Sequence, residues 1–222
     1  MPYICDQFQA GSVPPESMDR LWASGWRHFG GRFFRYSLQF DEVSGALQTI
    51  EPLRIDLSRF GPKKDQRRVL ARNSDVRWEI VPARVDDDVQ SLFQRHKQRF
   101  VSNIPESIFD FIAREEPSSR PCGCLEFRAF LDGRLMAASF LAVGERSTSG
   151  IYGVFDPKFS ARSPGVLTML KEIEHSRERG FHHYYPGYAT HEPSAYDYKK
   201  RFAALEVLDW TTGEWRSLTS GA

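Results

Sequence analysis

Residues 150–202 read GIYGVFDPKFSARSPGVLTMLKEIEHSRERGFHHYYPGYATHEPSAYDYKKRF, and the fold turns on how they are parsed. The run 151–155 is a strand, ended by Asp156-Pro157. Ser163 is a good helix N-cap, and Pro164 suits the first helical position, where its missing N–H is no loss. Val166, Leu167, Leu170 and Ile173 recur at helical spacing and predict a buried stripe. Gly180 closes this helix, with Arg177 and Arg179 in its last turn. Segment 184–188 (YYPGY) is a strand broken at Pro186-Gly187, which leaves backbone groups free for a ligand. Tyr196, Asp197, Tyr198 and Lys199 share a short helical turn. N–H groups around 163–166 can hold a phosphate or a developing anion, although every helix start carries such groups.

Upstream, 125–143 forms the clearest hairpin, LEFRAF and LMAASFLAV around Asp132-Gly133, a pair that tolerates positive φ. The second arm is apolar on both faces and belongs inside a sheet. A turn at 144–150 returns the chain into 151–155, so an antiparallel meander feeds the opening stretch. Before it, 76–85 is a strand that Pro82 places at an edge. Asp86, Asp87 and Asp88 open a helix, as the helix dipole favours, with Val89, Leu92, Phe93 and His96 on one stripe. Pro105 begins another short helix, and 115–121 is a loop. Residues 1–15 form an extended leader, and Met18, Leu21, Trp22 and Trp26 mark a helix. The aromatic run 32–40 is a strand, Ser44-Gly45 a turn and 53–57 a half-buried strand. A hairpin around Thr212-Gly213 closes the chain.

Segment 59–73 carries six basic residues and one acid, Asp65. Pro62 suits a helix start, and Lys64, Arg67, Arg68 and Arg72 then share a face able to neutralise phosphates. A solvated helix face explains the same run. The whole chain of 222 residues balances 30 Lys and Arg against 29 Asp and Glu, so no global field draws nucleic acid or membrane, and any basic footprint is local. Composition predicts a soluble globular protein of the cytoplasm, without a membrane span. Three cysteines, Cys5, Cys122 and Cys124, make no disulfide framework. Cys122 and Cys124 supply at most two of the four ligands of a closed zinc site, so two reduced thiols in a loop and no metal are expected.

The segments GWRHFGGRFFRY (25–36), PLRIDLSRFGPKKDQRRVLARN (52–73), FLDGRLMAASF (130–140), FDPKFSARSPG (155–165), EIEHSRERGF (172–181), YYPGY (184–188) and YKKRF (198–202) together resemble the arginyl- and leucyl-tRNA–protein transferases of the N-end rule pathway. That resemblance implies an α+β, GNAT-like (acyl-CoA N-acyltransferase) fold, with a largely antiparallel sheet flanked by helices. It implies an N-terminal region over 1–60 and an aminoacyltransferase domain over 61–222, forming one compact unit. It also implies that an aminoacyl-tRNA ester gives its amino acid to the free α-amine of a protein, usually one starting with Asp or Glu, without a further cofactor or a membrane.

Residue by residue, Lys64, Arg67, Arg68 and Arg72 match the family's basic segment, and Asp156, Ser163 and Gly165 its turn before the helix. Gly187, Tyr188, Tyr198 and Lys199 match its splayed strand and following turn. Asp156, Tyr188, Tyr198 and Lys199 are the expected catalytic group, with both tyrosines orienting the amine or the ester carbonyl. Arg54 or Lys199 is expected to receive the acceptor's carboxylate. Arg99 matches an Arg-His pair whose histidine is Phe100 here. The family's cysteine cluster is absent between Ser37 and Glu51, its Cys-x-Lys-Met reads Pro193-Ser194-Ala195-Tyr196, and Pro164 replaces the leucine of Ser-Leu-Gly. Two alternatives stay open: an acyl-CoA N-acyltransferase, for which 162–167 (RSPGVL) is a partial pyrophosphate loop, and a non-catalytic protein that binds tRNA or N-termini.

Overall fold

A computed structural model describes residues 1–41, 45–100, 103–194 and 196–218. In chain order they form β1 (Cys5–Gln9), α1 (Pro15–Ala23), β2 (Arg27–Phe29), β3 (Arg32–Tyr36), β4 (Leu38–Asp41), β5 (Ala46–Asp56), α2 (Lys64–Arg72), β6 (Arg77–Pro82) and α3 (Asp87–Lys97). There follow β7 (Gly123–Leu131), β8 (Arg134–Val143), β9 (Ser147–Phe155), α4 (Pro164–Glu178), β10 (His183–Thr190), β11 (Leu205–Leu208) and β12 (Trp215–Ser217), with short 3₁₀ turns at Ile108–Asp110, Pro157–Arg162 and Asp197–Arg201.

The main sheet runs β12-β11-β5-β10-β9-β8-β7-β6, and β4 adds to β5. Its helices cover both faces. Leu170 and Ile173 of α4 pack on Leu53, Ile55, Phe127 and Leu141, while Val89, Leu92 and Phe93 of α3 pack on Ala138, Phe140 and Val154 across the sheet. Each fully buried Leu or Phe of these layers contributes about 1.5–3 kcal/mol. The hairpin β7–β8 closes as expected around Asp132 and Gly133, both at positive φ.

β9 and β10 are the parallel neighbours, joined by α4 as their crossover. Their pairing covers only Ser147–His183, Thr148–Tyr184 and Ser149–Tyr185. Beyond it the strands part, and each carries an irregularity at that point. In β9, Leu141 faces Gly150 and Phe140 faces Tyr152, so Ile151 is an extra residue. In β10 the register to β5 shifts between Tyr184 and Gly187. Such bulges bend a strand and end its pairing, and here they open a wedge in the centre of the sheet.

Several local expectations change. The leader contains β1, which pairs with β3. The run 32–40 is two strands, β3 and β4, parted at buried Ser37, whose hydroxyl takes the Ile4 N–H (2.9 Å) and donates to the Pro2 carbonyl (2.9 Å). The strand expected at 53–57 extends back to Ala46. α2 begins at Lys64, two residues after Pro62, with Lys63 at its cap. The helix expected from Pro105 is one 3₁₀ turn. Cys124 sits in β7, buried like Cys122, rather than in a loop. Ser44 of the expected turn and Ala195 lie outside the described residues.

Candidate active site at the strand wedge

Arg27 of β2 fills the head of the wedge. Its guanidinium donates to the Ser149 hydroxyl and, at 2.6 Å, to the Gly150 carbonyl that β10 leaves unpaired. The side chain is 8% exposed, and among the described residues no carboxylate forms an ion pair with it. Burial therefore lowers its pKa, against the opposing pull of Tyr188, Tyr184, Tyr36 and Glu172. Both neighbouring glycines are required by close approach. A Cβ on Gly150 would lie 2.6 Å from the Tyr184 hydroxyl and 3.0 Å from a Glu172 oxygen. Gly187 has φ +95°, and its Cβ would lie 3.3 Å from the Arg27 guanidinium.

Beneath the head, Tyr184 donates to Glu172 at 2.5 Å. Glu172 lies on the buried face of α4 and is 2% exposed. Burial pushes its carboxyl up to about 7, opposed by the Ser139 and Tyr184 hydroxyls and by Arg27. The mouth is lined by the turn Asp197–Arg201. Lys199 donates to the Tyr188 carbonyl at 3.0 Å and lies 5.0 Å from the centre of the Tyr196 ring. Its enclosed ammonium titrates at about 7, because burial and then Arg27 disfavour the charge. The Tyr198 hydroxyl makes no hydrogen bond among the described residues, and burial raises it to about 12. The walls are aromatic: Tyr36 meets Tyr188 at 5.3 Å, and Phe111 stacks on Tyr152 at 3.7 Å.

The remaining expected residues scatter around this centre. Tyr188 anchors β10, its hydroxyl donating to the Gly25 carbonyl at 2.6 Å. Asp156 caps the 3₁₀ turn before α4, accepting from Lys158 N at 3.0 Å, and pairs with Arg95 at 2.8 Å. Ser163 occupies the N-cap position but is left-handed (φ 55°, ψ 51°) and makes no side-chain cap. The Val166 and Leu167 N–H groups both bond to the Ser163 carbonyl, and Pro164 has none. At most the Gly165 N–H remains, so the helix start is not the anion cradle expected, and RSPGVL does not form a pyrophosphate loop. Arg54 is bound to Glu206 at 2.6 Å and lies 4.5 Å from the Trp215 ring centre, so it is not free for an acceptor carboxylate. Arg99 is exposed over Phe155 (4.2 Å) and near enough to Tyr198 to lower its pKa.

The basic face of α2 lies beside the start of α4. Arg162 donates to the Arg72 carbonyl at 3.0 Å and clasps Asp75 at 2.7 and 2.9 Å, while Asn73 donates to the Arg162 carbonyl at 3.0 Å. Lys64, Arg67, Arg68 and Arg72 are all exposed. Among the described residues none of them pairs with a carboxylate; Arg67 and Arg72 donate only to the Pro62 and Ala161 carbonyls.

The residues that sequence reasoning passed over are Arg27, Gly150, Glu172 and Tyr184. A faint signal existed for Glu172: it falls one turn from Thr168 and Ser176 on the side of α4 that the apolar stripe shares. Two open cavities, of about 480 and 620 Å³, lie elsewhere, one along Phe29–Arg32 and 109–115, the other along Asp56–Ser58 and Gly180–His183. The second cavity holds Asp56 and His183, both of lowered pKa, whereas the wedge gathers the buried Arg27, Glu172 and Tyr184 with Lys199. Among the described residues no three His, Cys, Asp or Glu side chains cluster to hold a metal, and no helix is long and apolar enough to cross a membrane.

Residues 86–209 match the family model described as "Arginine-tRNA-protein transferase, C terminus". The chain is 28% identical over 204 residues to an aspartate/glutamate leucyltransferase of Marinobacter nauticus, covering 90% of this chain and 82% of that protein. It is 33% identical over 181 residues to one from Xanthomonas axonopodis pv. citri, covering 77% and 70%. Among solved structures, a C-terminal domain of a lysylphosphatidylglycerol synthetase from Agrobacterium fabrum superposes with a TM-score of 0.49 at 18% identity, over 83% of this chain and 54% of that one. FemX gives 0.50 at 12% identity, over 87% and 65%. The chain thus spans roughly half to two thirds of these solved chains. The FemX likeness speaks for the fold alone, which is the GNAT-like one.

Proposed function

The chain belongs to the arginine-tRNA-protein transferase family, and from that premise we propose that its donor is leucyl-tRNA and its acceptor a protein N-terminus beginning with Asp or Glu. The reaction class is aminolysis: the acceptor's α-amine attacks the aminoacyl ester, the ester C–O bond breaks and an amide forms. Such a step is helped mainly by positioning and by donors aimed at the developing oxyanion.

The observation that supports a leucyl donor is the charge of the wedge. Arg27 and Arg99 stand beside the aromatic walls, and the buried carboxyl there, Glu172, is taken up by Tyr184. An arginyl side chain would meet like charges, a repulsion that discriminates between substrates, whereas a leucyl side chain packs on rings. Four of this chain's features then take roles. The α2 face (Lys64, Arg67, Arg68, Arg72) contacts tRNA phosphates. The Tyr198 hydroxyl, protonated and unbonded, donates to the ester oxygen. Arg99 receives the acceptor's acidic side chain in place of Arg54. Gly187, kept bare by Arg27, admits the ester to the unpaired edge of β10.

Purified protein is incubated with leucyl- or arginyl-tRNA and peptides starting with Asp, Glu, Arg or Lys, and products are weighed by mass spectrometry. Leucyl extension of the Asp and Glu peptides is the expected result. Arginyl extension in its place overturns the donor, extension of the Arg and Lys peptides overturns the acceptor, and acyl transfer from acyl-CoA without tRNA overturns the reaction.

A further inference from the structure

Lys199 and Lys200 are sequence neighbours on one turn, and their ammonium groups are treated in opposite ways. Lys200 bonds to the Thr190 carbonyl and sits 3.4 Å from Glu51 and 3.6 Å from Asp197. Lys199 has no carboxylate partner among the described residues. It bonds to one carbonyl, that of Tyr188, on the edge of β10 that has left β9. The charged and titratable groups around it and the adjoining Arg27 are Tyr36 from β3, Glu172 from α4, Tyr184 and Tyr188 from β10 and Tyr196 from its own turn. Of these, Glu172 alone is a carboxyl, and Tyr184 already bonds to it.

We infer that Lys199 is the base that deprotonates the acceptor's α-ammonium and relays a proton to the departing ribose oxygen. The inference rests on the transfer reaction proposed above and assigns its proton path. The α-ammonium brings three protons. Lys199 takes the first as a neutral amine and loses it to solvent, freeing the nitrogen lone pair. The nitrogen bonds to the ester carbon. Lys199 then takes the second proton from the tetrahedral adduct and delivers it to the ribose oxygen as the C–O bond breaks. The third stays on the new amide, and no oxidant or further reactant is needed. The Tyr188 carbonyl holds one Lys199 N–H at 3.0 Å and fixes the nitrogen beside the unpaired edge of β10, with its other two positions free of that carbonyl. A titration near 7 brackets neutral pH and lies close to that of a free α-amine, roughly 7.7–8.0, the match that makes a base efficient at neutral pH.

Single-turnover transfer from leucyl-tRNA to an Asp-initiated peptide is measured from about pH 6 to about pH 9, bracketing both titrations, for wild type, Lys199→Met and Lys199→Arg. Leucyl-tRNA binding is measured in parallel. Both variants are expected to lose about 10²–10⁴-fold in rate at neutral pH with tRNA affinity unchanged. The deficit narrows toward the alkaline end, where the acceptor amine is already neutral. A merely positioning or charge-bearing lysine is restored by arginine, so near wild-type rates in Lys199→Arg overturn the inference. So does a deficit that is the same at every pH. If Lys199→Met does not fold, the arginine variant decides alone. If wild type transfers nothing, both readings fall; if wild type transfers and the variants match it, only this one does.

Discussion

Two cationic regions adjoin α4, one beside its start and one at Glu172 further along, and they differ in burial and in partners. The α2 face places four cations in water with no carboxylate paired to them among the described residues. The wedge buries Arg27 and half-buries Lys199 among carbonyls, hydroxyls and the Glu172 carboxyl that Tyr184 binds. Solvated charges interact weakly with the fold and strongly with a polyanion. Desolvated charges raise the energy of the folded state and have their titrations moved. On the proposed function one region meets the tRNA and the other carries the transfer, and substitutions should separate them.

The largest loss of stability belongs to Arg27. Arg27→Met leaves the Gly150 carbonyl without its donor, whereas the Ser149 hydroxyl keeps its bond to the Tyr185 carbonyl at 3.2 Å. One buried unsatisfied group costs about 1–3 kcal/mol, so a loss of about 1–3 kcal/mol in urea unfolding is expected, together with a rise in the Lys199 titration once the neighbouring charge is gone. A variant as stable as wild type would mean that Arg27 is a solvated surface charge like those of α2.

Glu172 comes next. Its carboxyl is raised from an ordinary 4.5 to about 7, so the folded state holds a proton that the unfolded chain releases. Folded stability then falls as pH rises from 4.5 to about 7. Glu172→Gln removes that slope. Its stability relative to wild type should grow by about 3 kcal/mol at most between the two ends of the window. His28 and His96, buried and lowered to about 4, weaken both proteins alike below their ordinary 6.5, and so cancel in the difference. A pH-independent difference in denaturation free energy would place Glu172 in contact with solvent.

Lys199 moves stability in the opposite sense, over a wider span of pH. Its pKa is depressed from 10.5 to about 7, so the unfolded chain binds more protons between those values and stability rises with pH across them. Lys199→Met should therefore have a higher Tm than wild type at neutral pH, with the gap closing toward pH 10.5. A lower Tm would show that the bond to the Tyr188 carbonyl outweighs the buried charge. Stabilisation coupled to lost activity is the mark of a residue kept for function.

Periodicity carried much of the fold. The stripe Val89, Leu92, Phe93 and His96 is buried as α3, Asp86 accepts the Val89 N–H as its cap, and β7–β8 turns where Asp-Gly permits positive φ. The basic face of α2 was equally plain, because exposed charge at helical spacing needs no partner to be recognised. The wedge was half visible, through Pro186-Gly187 and the tyrosines. Arg27 was not, since its partners Ser149 and Gly150 are more than 120 residues away and nothing in RHF distinguishes a buried arginine from an exposed one. Glu172 looked like one more acid on a surface helix, and only its position opposite Tyr184 makes it a buried one. Ser163 failed as a cap for a similar reason: the tight passage from the 3₁₀ turn into α4 forces it left-handed, which turns its side chain from the N–H groups it would bond.

The smallest effect on the fold, and the sharpest contrast, is at α2. Lys64→Glu with Arg68→Glu reverses two solvated charges on the outer face of that helix, and exposed substitutions of this kind shift stability by about 0.5 kcal/mol or less. Urea midpoints should match wild type. Binding of leucyl-tRNA should not: neutralising one phosphate fewer lowers the slope of log affinity against log salt by roughly 0.7–0.9, so the double variant should bind more weakly with a slope reduced by about 1.5. Transfer should recover at low salt or high tRNA concentration, because the chemistry in the wedge is untouched. Lys199→Met must show the reverse pattern, with normal binding, a normal salt slope and a rate that no concentration of tRNA restores. Should the α2 variant instead lose its maximal rate at saturating tRNA, the two cationic regions would be one site, and the division of labour between solvated and buried charge would have to be abandoned.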